Sequence, residues 1–187
     1  RQVHTNLATL VARHLGAAYR RPPAQHSIAA YGQLQERLDQ RESPLVLDSF
    51  CGTGHSTAAL ARQYPDHLVV GIDKSGQRLA KHQPQARDNY LLLRAECEDI
   101  WQLLVRDGRR CIRHFIFYPN PWPKASHLQR RIHGHGSFPL LLQLGGELVL
   151  RSNWQLYVEE FGVAMHLAGR RGMICRVPDG PAITLFE

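Results

Sequence analysis

The sequence predicts an α/β fold: a mostly parallel central sheet with helices on both faces. Two observations lead there. From Leu45 onward, short apolar β-prone runs alternate with segments of helical periodicity, and strands separated by helices favour a parallel sheet under helical cover. The 187 residues, 43% of them apolar, suffice for one domain with a sizeable core, and a single domain over 1–187 is expected.

The elements follow in order. Residues 1–42 read as a basic helical N-terminal extension. Leu7, Leu10, Val11, His14 and Leu15 keep helical spacing, Arg21-Pro22-Pro23 stops that segment, and Ile28, Tyr31, Leu34 and Leu38 begin a second stripe. Ser43-Pro44 then punctuates the chain. Strands are expected at 45–48, 68–73, 90–94, 113–118 and 146–151, and helices at 55–64, 75–82, 99–105, 137–144 and 154–168. A further strand is expected over 172–177, where Met173, Ile174 and Val177 are apolar.

Composition narrows the class. No apolar run approaches the ~20 residues of a membrane span, and the start shows no signal-peptide pattern. Cys51, Cys97, Cys111 and Cys175 are far apart and form no CxxC pair, which argues against a zinc cluster or a disulfide framework and fits the cytoplasm. His127, His133 and His135 lie close together but lack a Cys or acidic partner at ligand spacing, so no metal is expected. Net charge is +7, and of the 23 cationic side chains only Lys74, Lys81 and Lys124 are lysines. Arginine forks grip phosphate with two hydrogen bonds and stack on bases. A polyanion partner, most simply nucleic acid, is therefore expected.

Two segments carry chemistry. Asp48-Ser49-Phe50-Cys51-Gly52-Thr53-Gly54 follows the first strand and precedes a helix. Glycines there let a ligand approach the backbone, and a helix N-terminus offers free amides. Asp73 ends the second strand, where a carboxylate binds the hydroxyls of an adenosine ribose; the bland alternative for Asp48 and Asp73 is strand-end capping. The dinucleotide pattern fails at Thr57, no Gly-Lys-Ser/Thr triplet occurs, and Asp48 suits a cationic ligand better than a pyrophosphate. The second segment is Tyr118-Pro119-Asn120-Pro121-Trp122-Pro123-Lys124, at the end of the fourth strand. Three prolines remove three donors and fix three φ angles. Asn120 and Trp122 each precede a proline and are expected to be extended. A stiff arm thus holds an amide, an indole and an ammonium at the carboxyl end of the sheet, where open α/β sheets bind ligands.

Both segments resemble known families. The glycine turn is similar to the first motif of class I S-adenosylmethionine-dependent methyltransferases, with Phe50 where glycine is usual. Pro119 to Lys124, followed by His127 and Arg130-Arg131, resembles the D-P-W-P-K-x-x-H-x-x-R-R signature of tRNA (guanine-N7)-methyltransferases. Gly145-Gly146, Ser152-Asn153 and Tyr157 resemble that family's G-G…T-D…Y segment, and Thr184 to Glu187 its T-x-F-E motif. The resemblance covers 45–187. It implies a Rossmann-like class I methyltransferase fold, S-adenosyl-L-methionine as cofactor, tRNA as partner, and a monomer or homodimer. It implies a cofactor set of Asp48, Gly52, Gly54, Asp73, Glu96 with Cys97 beside it, and Asn120. Of these, Glu96 resembles the acid on the adenine edge, and Asn120 is the implied catalytic residue.

On the substrate side the resemblance implies Trp122 beside the base and Lys124 on the nucleotide. Asn153, Thr184 and Glu187 complete the base pocket, and Arg130 and Arg131 hold the tRNA backbone. Residue by residue, the plainer alternatives are a core aromatic at Trp122 and a solvated helix face at Arg130 and Arg131. Two family aspartates are replaced, by Asn120 and Asn153. Asparagine accepts through one oxygen, adds a donor and carries no charge, which weakens the expectation of guanine. Two other readings follow: transfer to another acceptor such as an exocyclic amine, and a non-catalytic relative that binds RNA or cofactor without turnover.

Overall fold

A computed structural model describes residues 2–177 and 180–184. Five strands, β1 (Leu45–Ser49), β2 (Leu68–Asp73), β3 (Tyr90–Arg94), β4 (Arg113–Phe117) and β5 (Glu147–Arg151), form one sheet in the order β3-β2-β1-β4-β5. Every neighbouring pair is parallel. The order runs outward from β1 in both directions, so the chain switches direction between β1 and β4, and ligands bind at such a switch point. Among the described residues seven helices accompany the strands: α1 (Leu7–Leu15), α2 (Gln25–Gln40), α3 (His55–Gln63), α4 (Gly76–Leu79), α5 (Cys97–Arg106), α6 (Phe138–Leu144) and α7 (Gln155–Leu167). Two short 3-10 turns, Ala125–Arg130 and Ile132–Gly134, follow the proline arm.

The central strands are buried on both faces, and their alternation decides which helix each residue meets. Leu45, Leu47, Val70, Ile72, Leu93 and Ile116 join a core with α1, α2, α5, α6 and α7. Val46, Val69, Phe115 and Phe117 face the other way, onto Leu60 and Ala61 of α3. The N-terminal helices are part of this core: Leu7, Leu10, Val11, Leu34 and Leu38 are buried in the same cluster as β1. They cover the sheet.

Three sequence expectations are corrected. The 75–82 helix shrinks to the single turn of α4, capped by the Ser75 hydroxyl, which accepts from the Arg78 N–H at 3.2 Å. Ile28 is exposed; Ser27 and Ala30 take the inner face of α2 with Tyr31 and Leu34. Residues 172–177 form no strand. Ile174 lies against Gly162 of α7, while Met173 is 87% exposed, so the apolar run finds no ladder partner. No described helix is long and apolar enough to cross a membrane.

Candidate active site

The turn after β1 is built from left-handed residues. Phe50, Gly52 and Gly54 have φ of 61°, 61° and 78°. Phe50 thus adopts a backbone that glycine favours, and its ring packs edge-on to Trp101 at 5.9 Å. The turn is fixed from below. The Cys51 N–H donates to Ile72 O at 3.0 Å, and the Phe50 N–H donates to Cys97 Sγ at 3.3 Å. The Gly52 N–H donates to Asp73 Oδ2 at 3.0 Å. Asp73 also accepts from the Ser75 N–H at 2.8 Å and pairs with Arg78 at 3.0 Å. On the far side of the loop His82 bridges the Thr53 carbonyl (2.9 Å) and the Tyr90 hydroxyl (2.8 Å).

Asp48 is 1% exposed and accepts from the Ser56 and Thr57 hydroxyls at 2.6 and 2.8 Å. Burial raises its carboxyl to about 6 despite these two bonds. Deeper still, Ser49 Oγ joins Trp101 Nε1 (2.9 Å) to His114 Nε2 (2.7 Å). Burial holds His114 neutral, its pKa pushed down to about 3.

The proline arm rises from β4 and is less straight than expected. Tyr118 and Trp122 have φ of 52° and 47°, so Trp122 turns left-handed although Pro123 follows it. The Asn120 Oδ1 accepts from the Trp122 N–H at 3.4 Å; this local bond stabilises the bend that the proline disfavours. The exposed Arg130 guanidinium stands 4.9 Å from the centre of the Trp122 ring. His127 meets the same ring edge-on at 5.5 Å.

Turn and arm border one cavity of about 790 Å³. That is within the range of small-ligand sites, ~300–1,000 Å³. Its walls include Gly52, Asp73, Glu96 and Cys97 from the expected cofactor set, and Asn120, Trp122, Arg130 and Thr184 from the arm and the substrate set. The rest are placed elsewhere. Asp48 lies behind the turn, hydrogen-bonded to α3. Gly54 faces Leu92 and His82. Lys124 and Asn153 are exposed outside the walls, and Glu187 lies outside the described residues.

One wall residue also shapes the turn, and one role needs correction. Cys97 is 2% exposed, burial raises its thiol pKa, and its sulfur is spent on the Phe50 N–H and the Ile72 carbonyl. It shapes the turn from beneath. Arg131 is 2% exposed and paired with Glu160, so it has no face to offer a tRNA backbone. His133 is also buried against Glu160. Among the described residues no group of three or more His, Cys, Asp or Glu is placed to hold a metal.

Sequence reasoning missed several wall residues, among them Arg21, Arg78, Glu98 and Trp101, and gave Tyr118 and Tyr157 no role. Glu98 and Trp101 sit on the first turns of α5, two and five residues past the recognised Glu96, and the same-face spacing of a helix does not single them out. Burial raises the Glu98 carboxyl. Arg21 comes from the α1–α2 link, which is tied to α5 by the Gln102 side chain on Tyr19 O (3.3 Å) and by the Ala24 N–H on Asp99 (3.0 Å). No local pattern announces such a tertiary approach.

Comparison with known proteins agrees with this geometry. A family model described as "Putative methyltransferase" matches residues 42–171. A tRNA (guanine-N(7)-)-methyltransferase of Mycobacterium avium is 33% identical over 149 residues, 75% of this chain and 56% of that protein. The namesake of Thermus thermophilus is 33% identical over 140 residues, 71% of this chain and 44% of its own. The chain thus spans about half the length of the curated relatives it matches. Among solved structures, a SAM-dependent methyltransferase from Agrobacterium tumefaciens aligns at TM-score 0.51 and 16% identity, covering 82% of this chain and 53% of that one. The antibiotic-resistance methyltransferase Kmr aligns at TM-score 0.50 and 18% identity, covering 77% of this chain and 87% of its own. These likenesses give the fold, a Rossmann-like methyltransferase sheet.

Proposed function

The chain belongs to the methyltransferase family whose model it matches over 42–171, and on that premise we propose that it transfers a methyl group from S-adenosyl-L-methionine to guanine N7 of tRNA. The observation that carries the reading is convergence. The glycine turn with Asp73 and Glu96, and the arm with Asn120, Trp122 and Arg130, border the same cavity. The relatives named as tRNA (guanine-N(7)-)-methyltransferases support the acceptor.

The walls suit this cofactor. Left-handed Gly52 lets a ligand lie against the backbone, and Asp73 closes β2 where a ribose is bound. Phe50 and Trp101 supply apolar surface beside Glu96. Asp73, Glu96 and Glu98 give the wall carboxylates that can face a cationic ligand. When bound, S-adenosylmethionine supplies an activated methyl electrophile.

The protein's remaining work is positioning. Guanine N7 carries a free lone pair, so no general base is needed, and rate comes from holding N7 in line with the donor. Trp122, braced by His127 and carrying Arg130 on its face, offers a stacking platform for a purine. Asn120 orients the acceptor from the same bend, and acceptors nearby stabilise the cationic product. Thr184 stands on the wall with them. Arg21, Lys74, Arg78 and Arg130 give the cavity a cationic rim for the RNA backbone.

The test is incubation with unmodified tRNA and labelled S-adenosylmethionine, followed by mapping of the product. Label at guanine N7 is expected. Label on an exocyclic amine instead supports the alternative acceptor. Cofactor or RNA binding without any label supports the non-catalytic relative.

A further inference from the structure

Arg131 and Glu160 are sealed in the interior, 2% and 0% exposed, and neither borders the cavity. A buried ion pair loses hydration that its mutual attraction repays only with good geometry and further hydrogen bonds. What the pair holds is therefore informative. The Arg131 NH1 donates to Glu160 Oε2 at 2.6 Å. Its other two nitrogens donate to the arm: Nε to Trp122 O at 3.2 Å and NH2 to Lys124 O at 3.3 Å. The flat face of the guanidinium stands 5.0 Å from the centre of the Trp154 ring.

Between the two gripped carbonyls lies Pro123, which has no N–H of its own to anchor the segment. Trp122, just before it, is in the left-handed region. Glu160, on α7, is itself fixed by His133 Nε2 at 2.9 Å and by the His4 N–H at 3.0 Å. Two residues distant in sequence, His4 and His133, thus hold one carboxylate, the carboxylate holds one guanidinium, and the guanidinium holds two carbonyls of the arm.

We propose that Arg131 and Glu160 are positioning residues for the acceptor side of the site. The pair clamps the backbone of residues 122–124, so that the Trp122 ring, with Arg130 on its face, stays on the cavity wall. The kinetic half of this inference rests on the function proposed above; the structural half does not. Lysine in place of Arg131 is the discriminating change. It keeps a cation against Glu160 but has a single nitrogen, which cannot span both carbonyls.

The experiment compares wild type, Arg131→Lys and Glu160→Gln by four measurements: circular dichroism, calorimetric titration with S-adenosylmethionine, trypsin cleavage followed by mass spectrometry, and methyl transfer to tRNA. The Lys124–Ala125 bond is a tryptic site inside the clamped segment. In a folded variant, cleavage after Lys124 is expected to rise about tenfold while sites on the described surface such as Arg62 are cut as before. Cofactor affinity stays within about twofold, and kcat for transfer falls about ten- to a hundredfold. A purely structural role would lower the melting temperature and leave the folded enzyme's kcat unchanged. Wild-type cleavage after Lys124, or wild-type kcat, in folded Arg131→Lys overturns the proposal.

Should a single variant not fold, the double variant Arg131→Met/Glu160→Leu leaves no buried charge unpaired and is read by the same two measurements. If the wild-type protein methylates no RNA, the proposed function fails. The proteolysis then decides the clamp alone.

Discussion

The hydroxyl of Thr57 fills the space in which a side chain at Gly71 would begin: a Cβ there would stand 2.3 Å from Thr57 Oγ1. Thr57 cannot move aside freely, because it donates to the buried Asp48. Gly71→Ala is expected to push α3 off the sheet and break that bond. The cost is about 1–3 kcal/mol of stability, the usual range for overpacking, and urea unfolding measures it. Cofactor affinity should fall with it, since α3 begins directly after the glycine turn.

Asp73 holds the turn as well as lining the cavity. Asp73→Asn keeps one acceptor but places an amide where Gly52, Ser75 or Arg78 now donates. Affinity for S-adenosylmethionine is expected to drop about ten- to a hundredfold, or about 1.5–3 kcal/mol. Calorimetry that shows wild-type affinity would remove Asp73 from the cofactor site.

Asn120 binds the Trp122 N–H through its one carbonyl oxygen. Asn120→Asp keeps that bond with one oxygen and leaves a second, charged one for the guanine edge. Transfer to tRNA should rise about tenfold, the difference between a neutral and a charged hydrogen bond. An unchanged or lower rate in the tRNA assay would show a pocket tuned to another acceptor.

Glu160 links acidity to stability. Burial alone would raise its carboxyl, but the bonds from His133, Arg131 and the His4 N–H win and hold it down to about 2. The ionised form is therefore favoured in the folded state. Its stabilisation is present above the ordinary glutamate range, near 4.5, and is lost as pH falls from there towards 2. Wild type should exceed Glu160→Gln in urea resistance at about pH 6, and the gap should narrow steadily towards about pH 3. A gap independent of pH would show that Glu160 is not ionised inside the fold.

Much of this was legible in the residues. The strand runs at 68–73 and 90–94 coincide with β2 and β3, because both are short, continuous and largely apolar runs. The glycine turn and the proline arm were recognisable because both depend on local backbone chemistry. Arg131 was misplaced because an arginine in a basic run looks solvated until Glu160, 29 residues on, is brought against it. Arg21 and Glu98 were missed for the same reason as Arg131: their neighbours come from other elements.

Among the described residues, three that are not glycine take positive φ, Phe50, Tyr118 and Trp122, and all three border the cavity. Each such bend stores on the order of 1–3 kcal/mol of strain. Relieving these bends would add stability while reshaping the walls that the proposed methyl transfer uses. On that proposal, durability and turnover pull against each other at three positions that can be named in advance.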